Sequence, residues 1–156
     1  MFHTNIENDT KLNNYFRKVI YTGKHMQLVL MNLKPKQVIP RERHIEHDQF
    51  IRIEKGFGRA IITNEGLEVI QDVILEDGSA IIIPAGKYHE IQNTDDMLDL
   101  KLYTIYAPPE HEDKLIEDFI DDKLVKIGGF TNIYKNKFNK YNNKLELLFC
   151  TVNYQF

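Results

Sequence analysis

The sequence predicts an all-β domain of the sandwich or barrel type. Short runs of β-branched and other apolar residues follow one another through the middle of the chain, between residues 26 and 106. Gly, Pro, Asn and Asp residues separate these runs at short intervals, whereas helical periodicity is confined to the two ends. Strands at this spacing are typical of a sandwich or barrel and not of alternating βαβ units.

The predicted strands can be placed one by one from these runs and their turn residues. They span residues 26–33, 50–53, 59–63, 67–74, 80–83 and 98–106, with a further strand-like segment at 38–40 and a last one at 145–152. Lys34-Pro35-Lys36 ends the first strand, and Asn64-Glu65-Gly66 has the composition of a hairpin turn. Pro84-Ala85-Gly86 ends the strand at 80–83.

Two short helices are predicted outside this strand region. The first covers residues 9–17, with Asp9 as its N-cap. The second covers residues 110–124, where apolar residues recur at helical spacing after Pro108-Pro109 and acidic residues fill the first turn. Gly128-Gly129 ends that region. We therefore expect a short C-terminal helix followed by an extension.

Length and composition are those of one globular domain. The chain has 156 residues, 42% hydrophobic and 28% charged, which is enough to bury a core. We expect a single domain over residues 1–122 and an Asn/Lys-rich extension over 123–156. A single cysteine, Cys150, excludes an intramolecular disulfide and a thiolate zinc site. Since no segment has the pattern of a secretory signal or a membrane span, we expect a cytoplasmic protein.

Charge is distributed unevenly along the chain, whose net charge is −3. Residues 123–156 contain six lysines and one glutamate, a net charge of +5, so residues 1–122 carry −8. An acidic main body makes nucleic acid an unlikely partner. The basic extension is interpreted as a solvated lysine-rich tail, with contact to a polyanion as the alternative.

Four polar side chains are predicted to converge at one end of the strands. Glu42 and His44 share a face because alternate residues of a strand do so. By the same alternation Gln49 shares a face with Ile51 and Ile53 on the next strand, and His89 lies on one face of a later segment. A carboxylate, two imidazoles and a carboxamide suit a borderline divalent ion such as zinc, iron, manganese or nickel.

These residues also carry a resemblance to the cupin superfamily. Its second motif is G, five residues, P-x-G, two residues, H, three residues, N, which Gly78, Pro84, Gly86, His89 and Asn93 match at every position. Its first motif is H-x-H, three or four residues, E, six residues, G. Glu42, His44, Gln49 and Gly56 keep this spacing, although Glu42 replaces the first histidine and Gln49 the glutamate.

The resemblance covers residues 26–110, just over half of the chain. It implies a double-stranded β-helix, or jelly-roll barrel, holding one divalent metal (zinc, manganese or iron) between Glu42, His44, Gln49 and His89. More closely, the stretch resembles small stand-alone cupins described as mannose-6-phosphate isomerase-like. It also implies a small-molecule ligand in the barrel and a homodimer.

Two classes of function are consistent with such a site. The first is a metal-dependent enzyme acting on a small polar molecule such as a sugar or sugar phosphate, with isomerisation as its reaction and His47 or Glu54 as candidate bases. A variant of it is a non-haem iron dioxygenase, which uses two histidines and one carboxylate. The second class is a non-catalytic cupin that binds a sugar or another small molecule, because one fold hosts many functions.

The remaining polar residues near these motifs receive lesser assignments. Asn93 is interpreted as a turn or supporting group and Tyr88 as rim packing. His47, near the site in sequence but off the motif, is interpreted as a loop histidine, with a role in the pocket as the alternative. Tyr103 and Arg52 are candidates to reach the pocket. A phosphate site would need clustered arginines or lysines, and only Arg41, Arg43 and Arg52 lie near the site in sequence. His3, His25 and His111 have no partners that the sequence identifies.

Overall fold

The computed structural model describes residues 1–118 in full and the backbone of residues 125–127 and 130–132. The chain divides into two compact units, Met1–Ile120 and Asp121–Phe156. The first unit contains every predicted site residue. None of the helices in the described ranges has the length and apolar character of a membrane span.

The first unit begins with one short helix and continues as strands. Helix α1 (Ile6–Leu12) is capped by Asn5, whose side chain accepts a hydrogen bond from the Asn8 backbone N–H at 3.1 Å. The strands that follow are β1 (Arg17–Thr22), β2 (Gln27–Leu33), β3 (Val38–Arg43), β4 (Asp48–Lys55), β5 (Gly58–Thr63), β6 (Val69–Leu75), β7 (Ala80–Ile83), β8 (Tyr88–Asn93), β9 (Leu100–Ala107) and β10 (Ile116–Glu117). In the second unit, β11 (Val125–Ile127) pairs antiparallel with β12 (Phe130–Asn132).

The strands of the first unit form two antiparallel sheets. The larger sheet has the order β10-β1-β2-β9-β4-β7, and the smaller has the order β3-β8-β5-β6. Apart from the consecutive pairs β1-β2 and β5-β6, neighbours in each sheet are distant in sequence, as in β2 with β9 and β3 with β8. This arrangement confirms the predicted all-β, jelly-roll class of fold.

The hydrophobic core lies between the two sheets. Ile51 and Leu102 from the larger sheet and Ile39 and Ile91 from the smaller one belong to the same buried cluster, each at most 3% exposed. Alternation along each strand puts these residues on the inner face, as expected for antiparallel sheets with one buried face. Gln49 and His89 are on the same inner faces, so the core also positions two predicted site residues.

The strand predictions are confirmed, with shifts of a few residues at their ends. The strand pattern missed β1, of which only Arg17 lies in the segment 9–17 that was predicted to be helical. The helix instead begins at Ile6 and ends at Leu12, and its N-cap is Asn5 and not Asp9. The strand predicted at 145–152 lies outside the described residues.

The predicted helix over residues 110–124 is wrong for its described part. Ile116 pairs with Lys18 of β1, and the Val19 backbone N–H donates to the Leu115 carbonyl at 2.9 Å. Lys114 has a φ of 61°, which a right-handed helix does not allow. Pairing with the free edge of β1 therefore outweighs the helical propensity of this segment, and residues 119–124 lie outside the described ones.

Gly56, the last position of the first motif, is required by both conformation and space. Its φ is 95°, and a Cβ built on it would lie 2.5 Å from the carbonyl oxygen of Asp99. Gly78 also has a positive φ, 87°, but a Cβ there would meet no atom within 4 Å. A substitution at Gly78 therefore measures the strain of a positive φ alone, whereas a substitution at Gly56 measures that strain together with a clash.

We expect Gly56→Ala to lower the free energy of unfolding by roughly 2–5 kcal/mol, because the clash adds to the strain of positive φ. Gly78→Ala, which carries the strain alone, should cost about 1–2 kcal/mol. Urea unfolding of both variants measures the difference. Equal losses at the two positions would show that the close approach of Asp99 does not constrain Gly56.

Candidate metal centre

Glu42 and His89 face each other across two neighbouring strands. Glu42 of β3 pairs in register with His89 of β8, and the Glu42 Oε1 atom lies 3.3 Å from His89 Nε2. His44 follows directly after β3 on the same side, with its Nε2 atom 3.4 Å from the same Glu42 oxygen. The ligand atoms of these three residues all lie within 4.8 Å of one another. The structure thus brings together three of the four predicted ligands.

The loop after β7 holds His44 in place. The backbone N–H of Gly86 donates to the His44 carbonyl oxygen at 2.7 Å. Gly86 has a φ of 80°, a conformation that glycine adopts without strain. The segment Pro84-Ala85-Gly86 therefore ends β7 and also holds the backbone of His44, a candidate ligand from the first motif.

Gln49 approaches from the other sheet. It is 1% exposed, and its Nε2 atom donates to Thr104 Oγ1 and to the Tyr106 hydroxyl, both at 3.1 Å. These two bonds fix the amide so that Oε1 is the free end. The Tyr106 ring also contacts the His44 ring edge-on, with 5.4 Å between the ring centroids. Tyr106 therefore connects Gln49 to the histidine cluster.

The donor atoms of these side chains fit a bound cation. His44 Nε2, His89 Nε2 and Gln49 Oε1 are all buried and have no hydrogen-bond partner within the described residues. Each unsatisfied buried polar atom costs roughly 1–3 kcal/mol. Two imidazole nitrogens and the Glu42 carboxylate form the mixed N and O donor set that a borderline divalent metal prefers, and Gln49 is connected to them through Tyr106.

The charges of Glu42 and His44 depend on each other. Burial alone would raise the pKa of Glu42, but His44 and His89 outweigh it and lower that pKa to about 2. The Glu42 carboxylate in turn raises the pKa of His44 against the opposing effect of burial, and Glu110 adds to the rise. Without a metal, these shifts favour an ion pair between the two side chains.

This ion pair predicts how the stability of the metal-free protein depends on pH. The lowered pKa of Glu42 contributes stability above its ordinary value of 4.5, lost as the pH falls toward about 2. The raised pKa of His44 contributes stability below its ordinary value of 6.5, lost as the pH rises through the folded-state value. Both contributions are present together between pH 4.5 and 6.5.

We therefore expect Glu42→Gln to lower the melting temperature of the metal-free protein most within that window and least at both extremes. The measurement is thermal unfolding in chelator from about pH 3 to about pH 9. Glu46→Gln, which removes a charge from an exposed side chain close by, is the matched control. A difference that grows steadily toward alkaline pH would contradict the ion pair.

A second group of side chains borders the first. His47 Nδ1 lies 3.1 Å from Glu110 Oε2, and His44 Nδ1 lies 3.4 Å from Glu110 Oε1. The ligand atoms of these three residues also lie within 4.8 Å of one another. His47, interpreted from the sequence as a loop histidine with a pocket role as the alternative, therefore lies beside the site. Glu110 was not predicted there, because no spacing rule connects the loop after β9 to the first motif.

His111, from the same loop, was also missed. Its ring packs edge-on against Tyr106 with 5.0 Å between the centroids, and its Nε2 atom is buried without a partner among the described residues. Burial, followed by the charge of Arg17, lowers the pKa of His111 to about 4. The imidazole is therefore neutral at physiological pH.

Other residues near the motifs in sequence lie away from the site. Arg52 Nε is 3.7 Å from Glu54 Oε1, and Arg52 pairs with Tyr103, so all three share the face of β4 opposite to Gln49. Glu54 is thus excluded as the base of this site. Arg41 and Arg43 both stack on Tyr88, at 3.6 Å and 4.5 Å from the ring centroid.

Asn93 supports a turn, as predicted. Its Nδ2 atom donates to the carbonyl oxygens of Leu33 at 3.0 Å, Lys34 at 3.0 Å and Leu98 at 2.8 Å. It is 2% exposed, and these bonds satisfy backbone groups that the ends of β2 and β9 leave unpaired. The last position of the second motif therefore stabilises the backbone where β2 ends and where the chain enters β9.

Comparison with known proteins identifies relatives over most of the chain. The cupin domain family model matches residues 29–106. The uncharacterised protein L612 of Acanthamoeba polyphaga mimivirus is 42% identical over 147 residues, covering 92% of this chain and 88% of its own. The uncharacterised protein YrkC of Bacillus subtilis is 45% identical over 112 residues, 70% of this chain, which spans only 59% of YrkC. A crystal structure from Bacillus halodurans shares 38% identity with a TM-score of 0.72, over 75% of this chain and 88% of that one.

Proposed function

Because the chain belongs to the cupin superfamily, we propose that it is a metal-dependent enzyme acting on a small polar molecule, with a sugar as the substrate class. The observation that carries the proposal is a set of buried atoms that have no hydrogen-bond partner among the described residues: His44 Nε2, His89 Nε2 and Gln49 Oε1. Atoms of this kind are costly to keep in a fold unless a ligand satisfies them.

Glu42, His44, Gln49 and His89 would hold one divalent ion, zinc, manganese or iron. Since Glu42 is the one charged ligand, the occupied site would keep a net charge of +1. An ion of that charge supplies Lewis-acid chemistry, polarising a carbonyl or hydroxyl oxygen of a bound molecule. The neutral Gln49 distinguishes this site from the glutamate-bearing motif of the family it resembles.

Residues of the chain suit isomerisation of a sugar, in which a base moves a proton between neighbouring carbons. His47 is the candidate for that base, and Glu110, 3.1 Å from its Nδ1 atom, can stabilise the protonated ring. To accept a proton, its Nε2 atom would turn away from the Pro109 carbonyl oxygen, which lies 3.3 Å away and can only accept a hydrogen bond. Glu54 is excluded as the base, because it lies on the face of β4 opposite to Gln49.

The arginines favour a free sugar over a sugar phosphate. Arg41 donates to Thr63 Oγ1 and to the Asn64 carbonyl, both at 2.8 Å, and with Arg43 it stacks on Tyr88. Arg52 shares the opposite face of β4. None of these three arginines, the ones close to the motifs, is placed to bind a phosphate group at the histidine cluster, so mannose 6-phosphate itself is a weaker candidate.

The test is turnover in deuterium oxide. Protein loaded with zinc, manganese or iron is incubated with a panel of aldoses, ketoses and their phosphates, and proton NMR follows exchange at carbon 2 and formation of the isomer. We expect exchange with free sugars, and none with His89→Ala. Absence of exchange with every combination of sugar and metal would overturn the proposal that the protein is an isomerase. The alternative, a cupin that binds a sugar without turnover, would then be tested by calorimetry with the same panel.

A dioxygenase is a second candidate, favoured by one observation. Glu42, His44 and His89 form a two-histidine, one-carboxylate cluster, the ligand set of non-haem iron oxygenases. Oxygen uptake by iron-loaded protein in the presence of diols or enols would support this candidate. Oxygen uptake equal to that of the His89→Ala variant would exclude it.

The cytoplasmic location and the homodimer stay predictions. The dimer rests on the resemblance to small stand-alone cupins, and the Phe and Tyr residues of 130–156 that would need burial lie outside the residues whose side chains are described. Sedimentation velocity across micromolar concentrations tests it, and a monomer throughout that range would contradict it.

A further inference from the structure

The loop after β9 is fastened to the barrel by one buried glutamine. Gln27, which is 0% exposed, donates through Nε2 to the His111 carbonyl at 2.8 Å and to Thr22 Oγ1 at 3.0 Å. Its Oε1 atom accepts from the backbone N–H groups of Glu110 at 3.3 Å and His111 at 2.9 Å. Three of these four hydrogen bonds join Gln27 to Glu110 and His111, and they fix the backbone from which the Glu110 side chain projects.

The Glu110 carboxylate bridges two histidines. Its Oε1 atom lies 3.4 Å from His44 Nδ1 and its Oε2 atom 3.1 Å from His47 Nδ1. The other nitrogen of His47 lies 3.3 Å from the Pro109 carbonyl oxygen. Both nitrogens of His47 and both oxygens of Glu110 thus have polar partners, in contacts that join the loop after β9 to the segment between β3 and β4, so this group is satisfied without a cation.

The bridge bears on which nitrogen of His44 carries the proton. An ionised carboxylate only accepts hydrogen bonds, so Glu110 favours the proton of a neutral His44 on Nδ1, whereas Glu42, whose Oε1 atom lies 3.4 Å from Nε2, favours it on Nε2. A cation bound by Glu42 and His44 Nε2 would leave Glu110 as the acceptor for the ring proton, because Nε2, which lies beside Glu42 and the His89 ring, then uses its lone pair for the cation. A carboxylate behind a metal-binding histidine acts in this way in many metal sites.

We propose that Glu110, seated by Gln27, is a positioning residue that holds His44 as the Nδ1–H tautomer with Nε2 free to bind a divalent cation. The part that concerns the cation rests on the proposed function. The part that concerns the tautomer does not, because it follows from the contacts of the chain alone.

The first test reads the tautomer in the metal-free protein. Long-range ¹H–¹⁵N NMR of the histidine rings, recorded in chelator well above the ordinary histidine pKa, distinguishes Nδ1–H from Nε2–H. We expect a larger share of Nδ1–H for His44 in the wild type and in Glu112→Gln, an exposed control on the same loop, than in Glu110→Ala. In Glu110→Ala we expect a mixture in which Nε2–H, the ordinary preference of histidine without a partner at Nδ1, is prominent.

The second test measures zinc affinity by competition with a chromophoric chelator. Glu110→Ala should bind Zn²⁺ about 10–100-fold more weakly than the wild type, and Glu110→Gln, whose carboxamide oxygen can still accept from His44, should fall between them. The absorption bands of bound Co²⁺ should keep their positions in all variants, because the ligand set is unchanged.

Unchanged His44 tautomer signals in Glu110→Ala, or a zinc affinity equal to that of Glu112→Gln, would overturn the proposal. A shift of the Co²⁺ bands in Glu110→Ala would also overturn it, since Glu110 would then be a ligand. A wild type that binds no metal would instead contradict the proposed function, and the NMR measurement would still decide the role of Glu110.

Discussion

Replacing His89 with leucine should lower the affinity for a divalent metal by more than about 100-fold, since loss of a direct ligand exceeds the 10–100-fold cost of losing a supporting residue. His89 is 1% exposed, and its Nε2 atom lies 3.3 Å from Glu42 Oε1. The same change should also destabilise the metal-free protein, by roughly 1–3 kcal/mol, because it removes one of the two rings that keep the pKa of the buried Glu42 low.

The two effects are separated by thermal unfolding with and without metal. Metal at about 100 times its dissociation constant should stabilise the wild type by about 2.7 kcal/mol and His89→Leu hardly at all. His25→Ala, which removes an exposed histidine, is the matched control and should respond like the wild type. A metal response retained by His89→Leu would exclude His89 as a ligand.

Gln49→Glu should strengthen metal binding by at least about tenfold. A second carboxylate would take the net charge of the occupied site from +1 to zero, and charges in contact at an effective dielectric constant of about 20 interact by several kcal/mol, part of which burial offsets. The hydroxyls of Thr104 and Tyr106, which now accept from Gln49 Nε2 at 3.1 Å, can rotate to donate to the new carboxylate.

The same substitution should destabilise the metal-free protein, because it buries a second acid close to Glu42. Gln49→Leu is the contrasting variant: it should weaken metal binding and cost about 1–3 kcal/mol by leaving the Thr104 and Tyr106 hydroxyls without their partner. Zinc competition and urea unfolding measure both variants. An affinity unchanged by either replacement would show that Gln49 supports Tyr106 and does not bind the metal.

Strand alternation and motif spacing predicted much of the site, because both are local properties of the chain. The alternation rule placed Gln49 with Ile51 and Ile53, and each of these is 1% exposed. The matching of Glu42 with His89 across β3 and β8 followed from two motifs with fixed spacing. The assignment of all four residues to a metal stays a prediction, supported by their unpartnered atoms.

What sequence reasoning missed depends on contacts between distant segments. Glu110 is held at the site by a hydrogen bond from its backbone N–H to Gln27, which lies 83 residues earlier in the chain. The periodicity of a sequence cannot predict a bond between such distant residues. The helix predicted over 110–124 failed for the same reason, since β1 offers Ile116 a strand partner that a local pattern cannot include. Glu54 was misplaced because Gln49 and Glu54 lie an odd number of residues apart, on opposite faces of β4.

The most direct test of the metal centre is elemental analysis of protein purified without added metal, beside a Glu42→Ala/His89→Ala double variant. We expect about one zinc, manganese or iron ion per wild-type chain and none in the variant. Zinc or manganese would direct further work to isomerisation, and iron to dioxygen chemistry. Absence of metal from both proteins, with a melting temperature that added metal does not change, would contradict the central claim that this barrel holds a metal ion.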